Sequence, residues 1–255
     1  MPVASQYEMP LMVGRASARH IGLKPDLRFP LIVRRLAVWL MLPWLALALP
    51  VCADTAGNMN DMFVAVRNGD ADAVEQLLRQ GVDPDVQDEQ GYTALMMAAR
   101  AGAPEVARQL LAHGARVYQR NLYGETAVML AAYHGHNPVI ELLVAQGAAL
   151  GANGKGWNPL IYAAYAGHAD TVRLLLAYGV PVDGQTDSGL SALMLASKHG
   201  CIECVSLLLR LGADPGLRSK QGQSALEMAL SAGNTDIGAL LEQAAKIRKE
   251  HRPIE

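Results

Sequence analysis

Gly91-Tyr92-Thr93-Ala94-Leu95-Met96-Met97-Ala98-Ala99, Gly124-Glu125-Thr126-Ala127-Val128-Met129-Leu130-Ala131-Ala132 and Gly156-Trp157-Asn158-Pro159-Leu160-Ile161-Tyr162-Ala163-Ala164 are copies of one phrase. In each, a glycine is followed, two residues on, by Thr or Asn, and then by a short apolar run. Ser191 and Ser224 hold the Thr/Asn place in two further copies. An oxygen-bearing side chain at that place accepts from an otherwise unpaired amide of the first helical turn. The phrase therefore predicts a helix N-capped at Thr93, Thr126, Asn158, Ser191 and Ser224. The small alanines predict close approach to neighbouring helices. A glycine ends the helix, because it takes the left-handed conformation at little cost.

Working outward, glycines recur in three phased series at a spacing of about 33 residues, the sign of one supersecondary unit copied along a solenoid. They are Gly69, Gly102, Gly135, Gly167, Gly200 and Gly233; Gly81, Gly114, Gly147, Gly179 and Gly212; and Gly91, Gly124, Gly156, Gly189 and Gly222. After each glycine of the first series, apolar residues return at helical spacing, as in Val106, Leu110 and Leu111, or Val139, Ile140, Leu143 and Val144. That stripe predicts a second helix, closed by the second glycine series. Connections containing Asp83-Pro84, Pro181 or Asp214-Pro215 then turn toward the next unit. The stretch from Gly147 to Gly156 is one residue shorter than its equivalents. This loop is expected to be shorter and looser, either a tolerated deletion or a gap in the row of fingers that admits a partner's segment.

These residues resemble the ankyrin repeat. Its pattern of Gly-x-Thr-Pro-Leu-His-x-Ala-Ala, Gly-His and Val-x-x-Leu-Leu-x-x-Gly-Ala is matched by Gly91-Tyr92-Thr93-Ala94-Leu95 with Ala98-Ala99, by Gly135-His136 and Gly167-His168, and by Leu110-Leu111 with Gly114-Ala115. The resemblance implies an all-α repeat solenoid, a stack of about six helix-turn-helix units linked by β-hairpin-like loops over residues 58–245. The units fall at about 58–90, 91–123, 124–155, 156–188, 189–221 and 222–245, inside a domain of 54–245. A charged tail, 246–255, follows. One departure is systematic: Met96, Met129, Ile161, Met194 and Glu227 stand where the family has the histidine of Thr-Pro-Leu-His. Apolar packing is expected to replace that histidine's inter-repeat hydrogen bonds. The first and last units are expected to be solvated caps.

Residues 1–53 read as an N-terminal extension and secretory signal peptide. Arg28, Arg34 and Arg35 precede the apolar run Leu36–Pro50, and the small-residue pattern Val51-Cys52-Ala53 predicts cleavage after Ala53. The run is shorter than the ~20 apolar residues of a membrane-spanning helix. A membrane enters only if the leader is uncleaved. The expected location is periplasmic or secreted. Without the leader, 16 Lys and Arg face 22 Asp and Glu, a net charge of −6 that argues against nucleic acid as a partner.

Little in the chain resembles catalytic machinery, and the reading is of a non-catalytic protein with no cofactor and no metal. Cys201-Ile202-Glu203-Cys204 opens an outer helix. Cys201 falls at the place of the Gly-His histidine and Cys204 at a core place, so a structural disulfide is favoured in an oxidising compartment. The alternative is a thiol-dependent redox or metal-handling accessory role for Cys201 and Cys204. His134 and His199, or His136 and His168, are separated by whole repeats, too far to share one ion.

The resemblance implies that a protein partner, unidentified, is bound by the concave face. The positions carried over are Tyr92, Arg100, Tyr123, Glu125, Tyr133, His134, Trp157, Tyr165, Leu190, Lys198 and His199. Four tyrosines and one tryptophan thus fall on one expected surface, and these side chains bury large areas while keeping a polar handle.

Overall fold

The computed structural model describes residues 55–154 and 156–250, which lie in one compact unit. The leader, its cleavage point after Ala53 and the end of the tail lie outside the described residues. Twelve helices follow one another in pairs: α1 Thr55–Asn68 with α2 Ala71–Arg79, α3 Ala94–Ala101 with α4 Pro104–Ala112, α5 Ala127–His134 with α6 Asn137–Ala145, α7 Pro159–Ala166 with α8 Ala169–Ala177, α9 Ala192–His199 with α10 Ile202–Arg210, and α11 Ala225–Ser231 with α12 Thr235–Glu250. The odd-numbered helices form an inner row and the even-numbered ones an outer row. From α3 onward each inner helix packs on the next far more extensively than the outer helices do on one another. The architecture is an all-α repeat solenoid.

The paired alanines account for the tight inner row. Ala98, Ala99, Ala131, Ala132, Ala163 and Ala164 are all fully buried, leaving no side-chain bulk between successive helices. Met96, Met129, Ile161 and Met194 are buried to within 1%. Apolar packing has therefore taken over the histidine's place in these four units. Inter-unit hydrogen bonds are made instead at the start of the outer helices. His136 Nε2 lies 3.2 Å from the Arg100 carbonyl and His168 Nε2 3.0 Å from that of Tyr133, while Asn234 donates to the Ser197 carbonyl at 2.9 Å. Outer helices are held by one leucine per unit, Leu78, Leu110, Leu143, Leu175, Leu208 and Leu241, none more than 7% exposed.

Thr93, Asn158, Ser191 and Ser224 each accept from an amide in the first helical turn. Thr126 does not. Its backbone has the same extended conformation as the other four, yet its Oγ1 is buried without a partner. The expected cap is not formed there. Glycine ends the inner helices as expected, Gly102, Gly135, Gly167 and Gly200 being left-handed with φ from 68° to 82°. The final helix continues through Lys246 to Glu250, making that part of the charged tail helical.

Five loops close with one device. Asp88, Asn121, Asn153, Thr186 and Ser219 each accept, through the side chain, from the amide four residues on. Each also exchanges a backbone bond with that same residue, as Asn153 does with Trp157 at 2.7 Å. Isolated antiparallel bridges, Gln87 with Thr93 and Gln185 with Ser191, make two of these loops hairpin-like. The short loop keeps this closure intact at Asn153–Trp157. What it lacks is the turn that other loops form earlier, at Pro84-Asp85 or Val117-Tyr118. The deletion has been absorbed next to the outer helix. Fingers stack so closely that a Cβ on Gly156, already at φ 75°, would come within 2.7 Å of the Thr186 backbone.

Candidate functional site: the inner-helix face

The inner row turns one side of each helix toward its neighbours and leaves the opposite side, with the adjoining fingertips, uncovered. Phase along the repeat decides which residues stand there. Tyr133 and Tyr165 hold equivalent places two residues before the glycine that ends α5 and α7, while Trp157 follows the fingertip glycine Gly156. Their rings meet. Tyr133 and Tyr165 stack with centroids 6.2 Å apart, and Trp157 packs against Tyr165 at 5.8 Å. Tyr165 reaches His199 at 4.3 Å, and Tyr133 touches His134 edge-on at 5.0 Å. Tyr133 remains 38% exposed and His199 is exposed, so the network is open to solvent along its length.

Tyr162 joins the same group, at 5.1 Å from Trp157 and 6.2 Å from Tyr133, although it was not among the expected positions. It stands where other units have Met97, Leu130, Leu195 and Met228. A phenol replacing an aliphatic residue at that one place was the available signal. Its hydroxyl donates to Glu125 Oε1 at 2.9 Å, and Tyr92 donates to Oε2 of the same carboxylate at 3.4 Å. Asn121 Nδ2 completes the set at 2.8 Å. Glu125 therefore ties Tyr92 of the preceding unit to Tyr162 of the following one. Burial, then the bond to this carboxylate, pushes the Tyr162 phenol far above its usual range; burial and the Glu125 charge also raise Tyr92.

The remaining expected residues divide. Tyr123, 57% exposed at a fingertip, packs on Tyr92 with centroids 6.4 Å apart. Arg100 is exposed. His134 is half-buried and stacks on His136 at 5.9 Å, a pair on either side of Gly135 that spacing by whole repeats overlooks. Burial, then the nearby His136, Arg100 and His168, lowers its pKa, keeping the imidazole neutral near pH 7. Leu190 is half-buried against the core and Lys198 is exposed, both outside the ring network.

Cys201 and Cys204 are joined as a disulfide with Cα atoms 5.3 Å apart. Cys204 is fully buried, and Cys201 Sγ accepts from the Cys204 amide, occupying the N-cap place of α10. Cys201 Sγ also lies 3.5 Å from the Gly167 carbonyl oxygen, close to the place where His136 and His168 reach the preceding unit. Among the described residues no three His, Cys, Asp or Glu side chains are grouped as a metal site requires, and no helix is long and apolar enough to cross a membrane.

The family model described as ankyrin repeats (3 copies) matches residues 62–153 and 147–219. A search of curated proteins returns no match to the chain.

Proposed function

The chain belongs to the ankyrin-repeat family, whose repeats generally mediate protein–protein interaction, and from that premise we propose that it is an exported, non-catalytic binding protein holding its partner on the inner-helix face. The observation that carries the proposal is the open row of rings from Trp157 through Tyr165 and Tyr133 to His134. Large, rigid aromatic side chains with polar tips supply contact area at low entropic cost, and they are what interface anchors are made of. Because the rings brace one another, the surface is largely organised before a partner arrives, which reduces the ordering cost of binding. Export is supported by the leader pattern of residues 28–53, and the Cys201–Cys204 disulfide suits an oxidising compartment.

The test is affinity capture from periplasmic extract of the source cell, with wild-type protein beside a Tyr133→Ala/Trp157→Ala/Tyr165→Ala variant whose helicity is checked by circular dichroism. A protein retained by the first and lost by the folded second supports the reading. Equal retention by both would sink it.

A further inference from the structure

Ten arginines lie within the described residues, and the chain itself engages seven of them. Each of the seven meets a carboxylate or a backbone carbonyl, as Arg79 meets Glu75 and Arg248 meets Asp214. Arg67 and Arg100 are among the three without such a partner among the described residues. They are also equivalent, each two residues before the glycine that ends an inner helix, Gly69 and Gly102. Both line a single cavity of about 660 Å³. Its apolar wall includes Phe63, Met97 and the ring of Tyr92.

Neither guanidinium ion is bonded to a carboxylate among the described residues. Asp88 is the one carboxylate lining the cavity, and its Oδ1 already accepts from the amides of Gln90 and Tyr92. The nearby Glu125 is occupied by two phenols and an amide. His134 also lines the cavity, and its ring packs on Tyr133. The cavity thus adjoins the aromatic row.

We propose that this cavity takes an acidic side chain of the partner protein, an Asp or Glu received by Arg67 and Arg100, with a neighbouring apolar residue seated against Phe63 and Met97. The inference rests on the reading of the inner-helix face as the partner surface. A carboxylate is the group that a guanidinium pair binds with most directional hydrogen bonding. The apolar wall favours a side chain within a polypeptide over a small free anion. Charge also argues for a local recognition element: after the leader the chain is net acidic at −6, so it repels acidic surfaces in general and rewards one carboxylate placed at this spot. The contact therefore fixes the register of a segment whose remaining area is supplied by the rings.

A library of random peptides displayed on phage, panned on the full chain, tests this. Selected peptides are then measured by fluorescence anisotropy on wild type, on Arg67→Gln/Arg100→Gln and on Tyr133→Ala/Tyr165→Ala. The expected result is peptides sharing an Asp or Glu beside an aromatic or aliphatic residue, with affinity falling about tenfold or more in the arginine variant. Rising salt should weaken binding to wild type and not to that variant. Acidic peptides that bind the arginine variant equally well, or selected peptides without an acid, overturn the inference. If such acid-free peptides still lose affinity in the tyrosine variant, the inner-face reading survives alone; if no peptide responds to either variant, both fail. Arg67 and Arg100 are exposed, so their replacement leaves the core intact.

Discussion

The middle of the stack and its last unit each hold a glutamate near the start of an inner helix, and they satisfy it in opposite ways. Glu125 reaches outward: its three donors come from the preceding unit, the following unit and its own loop. Glu227 is closed on itself. It accepts from the Ser224 amide at 2.8 Å, forming a capping box, and meets Arg218 of the loop leading into its own helix at 3.2 Å. An interior unit has neighbours on both sides and can pool polar groups with them. Among the described residues no helix pair follows the last unit to donate to it, and its polar groups are satisfied locally. Glu227 shows the same logic in sequence terms, standing where interior units bury Met or Ile.

The largest effect that separates the two regions should come from the outer-helix leucines. Leu143 and Leu241 hold the same place, at 0% and 1% exposure. Truncating either to alanine removes a buried side chain and leaves a cavity, a cost of ~2–5 kcal/mol. In a solenoid stability is a sum of units and nearest-neighbour interfaces, so the site decides how that cost is spread. Leu143→Ala should lower the chemical-denaturation midpoint of the whole stack. Leu241→Ala should instead split off an early transition, detected by hydrogen exchange confined to Thr235–Glu250. A single shared transition in both variants would show that the last unit is as strongly coupled as the middle.

Glu125→Ala comes next. It leaves the half-buried Tyr162 hydroxyl, the Tyr92 hydroxyl and the Asn121 amide short of an acceptor, at a cost of about 1–3 kcal/mol in denaturant. A double-mutant cycle with Tyr162→Phe isolates the link between units. A coupling energy near zero would mean that the carboxylate merely sits beside the phenols. The Tyr162 phenol, no longer bonded to an anion, should titrate closer to its ordinary range when followed by ultraviolet absorbance.

What was legible in the sequence and what was not divide along the same line. Glycines, cap residues, alanine pairs and leucines recur because every unit must solve the same packing problem, and their period alone gives the solenoid. The cap at Thr126 is absent although its backbone is in the cap conformation, because spacing fixes a backbone position and not a side-chain bond. Glu125 was assigned to the partner surface by its place after Gly124, whereas its carboxylate is taken up by Tyr92 and Tyr162. Tyr162 itself was hidden at a place read as packing. Such bonds depend on which residues neighbouring units happen to carry, and no single repeat encodes them. Arg67 was legible but not drawn out: Gly69 and Gly102 belong to one glycine series, and the count of two residues back that gives Arg100 also gives Arg67.

The smallest effect is the acid response of the last unit. Glu227 has a pKa below its ordinary value of 4.5, first because its anion accepts the Ser224 amide and then because of Arg218. A carboxylate whose folded pKa is depressed stabilises the fold fully above its unfolded pKa, and that contribution disappears as pH falls through the folded value. The stabilising contribution should therefore be present at neutral pH and fade below about pH 4.5, where Glu227 in the unfolded chain takes up its proton first. Glu227→Gln removes the titration. Hydrogen exchange at Ala225–Ser231, followed from neutral to acidic pH, should show the wild-type advantage over Glu227→Gln shrinking through that window. Because Glu227 is exposed, the difference will be modest and will diminish further at high salt. Parallel acid profiles for the two proteins would mean that the capping box is held by its hydroxyl and amide alone, and the contrast between a self-contained end and a cross-linked middle would lose its electrostatic half.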